Sequence, residues 1–298
     1  MTDFHCGYIA LIGRPNVGKS TLFNAMLGQK ISITAPRPQT TRHQVLGIKT
    51  SENAQFIFVD TPGLQKEPGK KSINRYMNRA ARSVIQDVDV VLFLIESHKL
   101  NGEDLHLIDI FKQQSVTPIV VINKLDLKKN KNELLPLIEK LHVQLPESEI
   151  IPLSALKKDN IETLEKSIKA ALPIADPVFP GDQITDRSMR FFAAEIIREK
   201  LFRMLQQELP YSLTVDVSTY EESEKIVKIQ ANIWVERNSQ KGIVIGKSGQ
   251  QLKEVGKRAR ADIENMIDKK VYLELWVKVK ENWGDDEAAL NKFGYGDV

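Results

Sequence analysis

The sequence is poor in the features that would take it out of the ordinary globular class. It has one cysteine, Cys6, in 298 residues; a lone thiol cannot pair within the chain, so an internal disulfide framework is excluded and a reducing compartment suits it. Long apolar runs are absent. The longest, Val88–Ile95, is broken by Asp89 and falls far short of the roughly 20 residues that cross a bilayer. The first eight residues carry Asp3 and no basic stretch ahead of an apolar core, so neither a secretory signal nor a transit peptide is read there and a cytoplasmic location is expected. The five histidines, at 5, 43, 98, 106 and 142, show no ligand spacing with Cys6 or one another, so no zinc site is expected. Charge of one sign is also lacking: 42 Lys and Arg against 39 Asp and Glu give a net of +3, which neither requires nor excludes a polyanionic partner.

What is present suits two domains, since about 150 residues per domain is usual. From Tyr8 to Ala171, nearly all-apolar runs alternate with helical patterns, as in Tyr8–Ile12 before Ser20–Leu27 and Ile119–Ile122 before Leu134–Leu141. That alternation predicts an α/β domain with a mostly parallel sheet covered on both faces, and Gln44–Thr50 is read as an added antiparallel edge strand. Pro173, Pro177, Pro180 and Gly181 then interrupt the periodicity. The expected organisation is a nucleotide domain over 1–172, a proline-stiffened linker over 173–186, a second domain over 187–280 and a loosely held acidic tail over 281–298. The second domain reads α-β-β-α-α-β, a smaller α+β unit.

Four short strings carry the chemistry. Gly13-Arg14-Pro15-Asn16-Val17-Gly18-Lys19-Ser20 fits G-x-x-x-x-G-K-S/T between a predicted strand and a predicted helix, which makes a P-loop: glycines let backbone N–H groups wrap phosphates, Lys19 adds a full charge, and the Ser20 hydroxyl can meet Mg²⁺. Thr21 belongs to the same helix start and is counted with the phosphate contacts. Asp60-Thr61-Pro62-Gly63 follows the second core strand, with a carboxylate for Mg²⁺ and a glycine N–H able to sense a γ-phosphate. Asn123-Lys124-Leu125-Asp126 ends a strand at the sheet edge where ligands bind. A carboxylate at Asp126 can accept from the ring N–H and the exocyclic amine of guanine, whereas adenine offers neither donor. Asn123 can tie loops together and reach the base edge, and the Lys124 stem can lie over the ring. Ser154-Ala155-Leu156 follows the next strand, where a backbone N–H could meet the guanine O6. GTP or GDP with Mg²⁺ is therefore the expected ligand.

In the second half, 19 basic residues face 20 acidic ones beyond Pro180, but Lys241–Arg260 holds six basic residues and one acid. Inside that stretch Gly246-Lys247-Ser248-Gly249 is a GxxG loop between helical patterns, as in KH domains that clamp single-stranded nucleotides. Glycines admit the sugar-phosphate backbone, Lys247 supplies charge, and Lys253 lies on the following helix. Gly242–Gly246 resembles the apolar face of a type II KH groove, with Ile243 and Ile245 either beneath bases or in the core. Trp234, Tyr272 and Trp276 lie in strands, open to base stacking or to sheet packing.

GRPNVGKS with DTPG resembles the translation-factor-related branch of the P-loop GTPases. ISITAPRPQTTRH over Ile31–His43, together with the C-terminal half, is similar to the Era family of bacterial ribosome-assembly GTPases, over essentially the whole chain. The resemblance implies GTP hydrolysis, single-stranded RNA at the 3′ end of 16S ribosomal RNA, the 30S subunit as partner, and a monomer. It implies Thr41 as a Mg²⁺ ligand beside Ser20 and Asp60, and Lys19, Thr41 and Gly63 as the catalytic set. Relatives with asparagine at the Asn16 position can bind K⁺ there, which could replace an arginine finger; Arg37 and Arg42 are alternatives, each read first as a solvated loop charge. Leu64 stands where many GTPases place a water-orienting glutamine, so slow intrinsic turnover is expected. Switching is expected as order and disorder of Ile31–His43 and Thr61–Arg79, passed across the linker. The rival reading is a GTPase acting on a protein or membrane partner, with the KH-like unit a docking module and the basic amphipathic helix Arg187–Leu205 in peripheral membrane contact, at the inner face of the cell membrane.

Overall fold

A computed structural model describes residues 3–35, 37, 40–63, 72–98, 100–205 and 209–295. They form two compact units, each described by itself.

In the first unit, strands β1 (His5–Ile12), β2 (Val45–Ser51), β3 (Ala54–Asp60), β4 (Val90–Glu96), β5 (Ile119–Asn123) and β6 (Ile150–Pro152) make one sheet in the order β2-β3-β1-β4-β5-β6. Every pairing is parallel except β2 with β3, so the edge strand read from Gln44–Thr50 is antiparallel as expected. Helices α1 (Lys19–Leu27), α2 (Ser72–Ser83), α3 (Gly102–Gln113), α4 (Leu135–Gln144) and α5 (Ile161–Ala171) make the crossovers. Burial on both faces explains the unbroken apolar runs: all seven residues of β3 and all five of β5 are buried. Strand order reverses around β1, which opens a crevice at the carboxyl ends of β1, β3, β4 and β5. Register puts Leu11 opposite Asp60 and Glu96 opposite Asn123.

The segment 173–186 departs from the expected linker. Cys6 N–H donates to Pro173 O at 3.1 Å, Ile48 N–H to Ile184 O at 2.9 Å, and the Thr185 hydroxyl to Leu46 O at 2.8 Å. Gln55, fully buried in β3, turns most of its amide to the segment: Nε2 donates to Phe179 O as well as to Thr50 Oγ1, and Oε1 accepts from Val178 and Phe179 N–H at 2.8 and 2.9 Å. A buried amide with that many partners is costly to strip, so this stretch is a fastened strap of the first unit and not a free tether.

The second unit holds α6 (Met189–Met204), β7 (Leu213–Glu222), β8 (Ile226–Val235), α7 (Asn238–Ile245), α8 (Gln250–Ile267) and β9 (Lys270–Val279). The sheet runs β7-β8-β9, antiparallel then parallel, and Val227, Ile229, Ala231 and Ile233 meet Val244, Val255, Ala259 and Ile263 in one core. This is the expected α-β-β-α-α-β order. Helix α6 does not offer the lipid-facing side that its amphipathic pattern suggested. Phe192, Ile196, Ile197, Leu201 and Phe202 are buried, and so are Glu195, Arg198, Glu199 and Lys200. The buried charges pair: Arg198 with Glu195 at 2.6 Å, Arg203 with Glu199 at 3.0 Å, and Lys200 with Glu199 and Asp262. Only Met189 leaves a large apolar side chain exposed on this helix, and among the described residues no helix is long and apolar enough to cross a membrane. Thr40 and residues 72–74 group with this unit. Arg198 Nη2 donates to Thr40 O at 2.5 Å, and Ser72 and Ile73 N–H donate to Asp285 Oδ1 and Gly284 O at 2.8 and 3.1 Å.

The acidic tail is not loosely held either. Its residues 281–295 form a helix-and-aromatic cap on the unit: α9 (Glu287–Lys292) is capped by Asp286, Trp283 is 1% exposed with its ring N–H on Ser212 O at 3.0 Å, and Tyr295 meets the Thr214 hydroxyl at 3.1 Å. Phe293 packs between the Trp234 and Trp283 rings, 5.7 Å from each. Aromatic burial of this kind outweighs the acidic composition. Trp283→Ala is therefore expected to destabilise the second unit by about 3–5 kcal/mol, read as a lowered denaturant midpoint; a midpoint like that of the unaltered chain would mean the tail contributes nothing.

Candidate functional site

The phosphate loop begins where β1 ends. A Cβ on Gly13 would lie 2.5 Å from Leu94 O, and Gly18 sits at φ 101°, a left-handed conformation that side chains avoid. Next, α1 starts at Lys19 with no side-chain cap and no acid in its first turn, which leaves its N–H groups and positive dipole end for an anion. Lys19 is 6% exposed, and its Nζ donates to Gly13 O and Arg14 O at 2.9 and 3.1 Å. Burial pulls its pKa down to about 8, partly offset by Asp60; an ammonium group held this way lacks an anionic partner, which a phosphate supplies. Arg14, Pro15, Asn16 and Val17 belong to the same loop, with Asn16 exposed at φ 66°, and Thr21 lies in the first turn of α1.

Beside it lies a cluster of hard oxygen donors. Ser20 Oγ is 2.7 Å from Thr41 Oγ1, the Ser32 hydroxyl donates to Asp60 Oδ2 at 2.6 Å, and Thr41 Oγ1 donates to the same oxygen at 3.5 Å. Asp60 Oδ1 is buried with no hydrogen-bond partner. Burial raises the Asp60 pKa, against the Ser32 hydrogen bond and Lys19, so the carboxylate is short of positive charge. A carboxylate with one oxygen orphaned, beside two hydroxyls, fits Mg²⁺. Thr61 anchors the strand end through its hydroxyl on Leu11 O at 2.9 Å, Pro62 is buried, and a Cβ on Gly63 would come within 2.9 Å of Pro15 N. Gly63 thus abuts the phosphate loop. Leu64 lies outside the described residues.

At the base end, Asn123 Nδ2 donates to Val17 O at 2.8 Å and Asn123 Oδ1 accepts from Ala155 N–H at 3.0 Å. Its carboxamide is spent on tying loops, and the Ala155 N–H offered for the guanine O6 is engaged with it. Asp126 is exposed and accepts from the Ser154 hydroxyl, so its remaining lone pairs face solvent, ready for two donors on one edge. Leu156 is 71% exposed beside it. Lys124, at φ 64°, pairs with Glu96, whose other oxygen holds Arg14 Nη2 at 2.5 Å. Burial would raise the Glu96 pKa, but Lys124 and Arg14 hold it below the usual carboxylate range. Sequence reasoning missed Glu96, Ser32 and Asp104, the last fully buried and 3.4 Å from Arg14 Nε; the one signal for Glu96 was an acid closing an apolar strand.

In the second unit the GxxG loop stands open between α7 and α8. Gly246 has φ 71° and no room for a Cβ, which would fall 2.6 Å from Gln251 Cβ; Gly249 has φ 75° and nothing within 4 Å of the same position. Lys247, Ser248 and Lys253 are exposed. The two isoleucines separate: Ile243 is 54% exposed, whereas Ile245 is half-buried against the core. Tyr272 and Trp276 are also half or more exposed on β9, while Trp234 donates its ring N–H to Asp216.

Known proteins share both units. Residues 8–124 match the family described as 50S ribosome-binding GTPase, and residues 208–284 match the KH domain. GTPase Era of Coxiella burnetii (strain Dugway 5J108-111) is 52% identical over 295 residues, 99% of either chain. GTPase Era of Pseudomonas aeruginosa (strain LESB58) is 48% identical over 306 aligned positions, covering both chains in full. The crystal structure of an Aquifex aeolicus Era variant bound to GDP and AlF4⁻ superposes with a TM-score of 0.95 at 40% identity, over 99% of this chain and 100% of that one. An Era crystal structure in complex with MgGDPNP and nucleotides 1506–1542 of 16S ribosomal RNA gives 0.95 at 41%, with the same coverage.

Because Glu96 holds Arg14 of the phosphate loop and Lys124 of the base loop at once, Glu96→Gln is expected to weaken GDP binding about tenfold, the loss of one charge-assisted contact. Calorimetric titration reads it directly; an unchanged Kd would reduce Glu96 to a surface ion pair.

Proposed function

The chain belongs to the Era family of GTPases, a family of GTP hydrolases, and on that premise we propose a GTP-driven switch that binds the 3′ end of 16S ribosomal RNA and assists 30S assembly in the cytoplasm. The observation that carries it is the coexistence of an unneutralised phosphate and guanine site in the first unit with an open GxxG loop in the second. The related Era complex with MgGDPNP and 16S nucleotides supports the same pairing of ligands.

We assign the phosphates to Gly13–Thr21, with Lys19 as the full charge and α1 as the dipole. Guanine goes to Asp126, with Lys124 over the ring and Ser154, Ala155 and Leu156 beside it. Ser20, Thr41 and Asp60 would hold Mg²⁺, which supplies neutralisation of the charge on the β- and γ-phosphate oxygens. Lys19 and the loop N–H groups then meet charge that builds on the leaving oxygens, and the Gly63 N–H meets the γ-phosphate as water attacks in line, giving GDP and phosphate. No side chain described here is placed to activate the water. We therefore propose slow intrinsic turnover and a K⁺ ion at Asn16 as a fixed positive charge near the transferred group. Exchange of Na⁺ for K⁺ is expected to lower turnover on the order of 10²-fold; equal rates would remove the ion from the reaction.

For RNA we assign Gly246–Gly249, Lys247 and Lys253 to the sugar-phosphate backbone, and Ile243, more than Ile245, to contact with bases. The nucleotide state would reach this unit through Thr40, next to the Mg²⁺ ligand Thr41, and through residues 72–74, because their backbone groups bond Arg198, Gly284 and Asp285. No observation favours membrane contact, since the apolar side chains of α6 are spent in the core. Lys247→Asp with Ser248→Asp is expected to abolish RNA binding and leave GTP affinity intact, measured by filter binding and nucleotide fluorescence; unaltered RNA affinity would sink the KH assignment.

A further inference from the structure

Helix α2 carries Arg75, Arg79 and Arg82 and not one acidic residue. Separations of four and three place the guanidinium groups along one face over about 10 Å. Ile73, Met77, Ala80 and Ala81 are buried on the other side. Like charges at these separations repel and weaken a helix, so the stripe is not explained by helix stability. Arg258 on α8 and Arg203 on α6 are answered from within their own helices, by Glu254 and Glu199; α2 contains no acid that could do so. The stripe borders a cleft of about 500 Å³, also lined by Asn78, Gln86 and Gln114. The lining includes neither an acid nor an aromatic ring.

We propose that this face of α2 is a phosphate-binding surface for RNA, carried by the nucleotide unit in addition to the GxxG loop. The inference rests on the RNA-binding reading and extends it. Guanidinium forks bind phosphate oxygens two at a time and stay charged at every physiological pH. Amide side chains serve ribose and phosphate oxygens equally well, and a lining without aromatic rings has nothing on which to stack a base. The surface therefore reads backbone and not sequence. Its position in the chain gives it a consequence. α2 follows the Asp60–Gly63 loop, and Gly63 abuts the phosphate loop at Pro15. Any bias that RNA phosphates on α2 give to γ-phosphate affinity at Gly63 is returned to the RNA by the same factor.

The full chain is titrated with an RNA spanning nucleotides 1506–1542 of 16S ribosomal RNA, the fragment held by the structural relative, at several KCl concentrations. Three proteins are compared: the unaltered chain, Arg79→Gln with Arg82→Gln, and Lys247→Asp with Ser248→Asp. The arginine pair is expected to bind about tenfold more weakly and to flatten the slope of log Kd against log salt by about 2, one per lost phosphate contact. GDP affinity and the thermal midpoint stay as in the unaltered chain. Unchanged RNA affinity and slope in the arginine pair, with RNA still bound by the unaltered chain, overturns the α2 surface and leaves the RNA reading standing. Weaker binding without a change in slope also overturns it, as a general disturbance. Failure of the unaltered chain to bind the RNA at all removes the reading on which the proposal rests, and the proposal with it.

Discussion

One carboxamide holds the nucleotide unit's loops in a working arrangement. Asn123 donates to Val17 O and accepts from Ala155 N–H, so the phosphate loop, the end of β5 and the loop after β6 are fixed to one another by a single side chain. Only an amide of this length offers a donor and an acceptor in that geometry. Aspartate would leave the Val17 carbonyl unpaired, and an apolar residue would strand both partners, at roughly 1–3 kcal/mol for each buried group. The same contact dictates Gly18: a Cβ there would lie 2.3 Å from Asn123 Nδ2. Two motifs more than a hundred residues apart are thus one structural object. Neither can drift without the other.

Around that joint the electrostatics fall into completed and uncompleted parts. Glu96 meets Arg14 and Lys124, and the α6 charges meet one another and Asp262; these groups have within the protein the partners that burial requires. Lys19 and Asp60 do not. The lysine is served only by neutral carbonyls, and one oxygen of the aspartate has no partner at all. Burial depresses the first pKa and raises the second, the signature of charges set up for something that arrives later. Polyphosphate and a divalent cation complete both at once.

The sequence made these loops legible because their chemistry is local: a P-loop needs its residues adjacent, and apolar strands buried on both faces cannot alternate. What stayed hidden depends on partners distant in the chain or on charges that do not behave as solvent-facing. Gln55 looked like a polar residue in a strand, yet three of its hydrogen bonds reach Val178 and Phe179, and that turns an apparent linker into a strap. Helix α6 showed apolar periodicity at Phe192, Ile196 and Leu201, but a pattern cannot tell that Glu195 and Arg198 are also enclosed. In the tail, five acids masked Trp283, Phe293 and Tyr295. Ile243 and Ile245 differ in exposure only through the phase of α7, which two residues of spacing do not determine.

Net charge proves a poor guide to the partner for the same reason. A balance of +3 is compatible with an even mixture of signs, which presents little field to a polyanion. Here the acids are not evenly spread. Glu96 is consumed by Arg14 and Lys124, and the acids on α6 by its own cations. Basic residues without an acid in helical register remain on α2 and beside the GxxG loop, where Lys247 and Lys253 stand exposed. A phosphate chain responds to those places within about 8–10 Å at physiological salt, beyond which the rest of the molecule is screened. Local arrangement, not the sum, decides where RNA can be held, and on this chain exposed clusters of positive charge lie on both units.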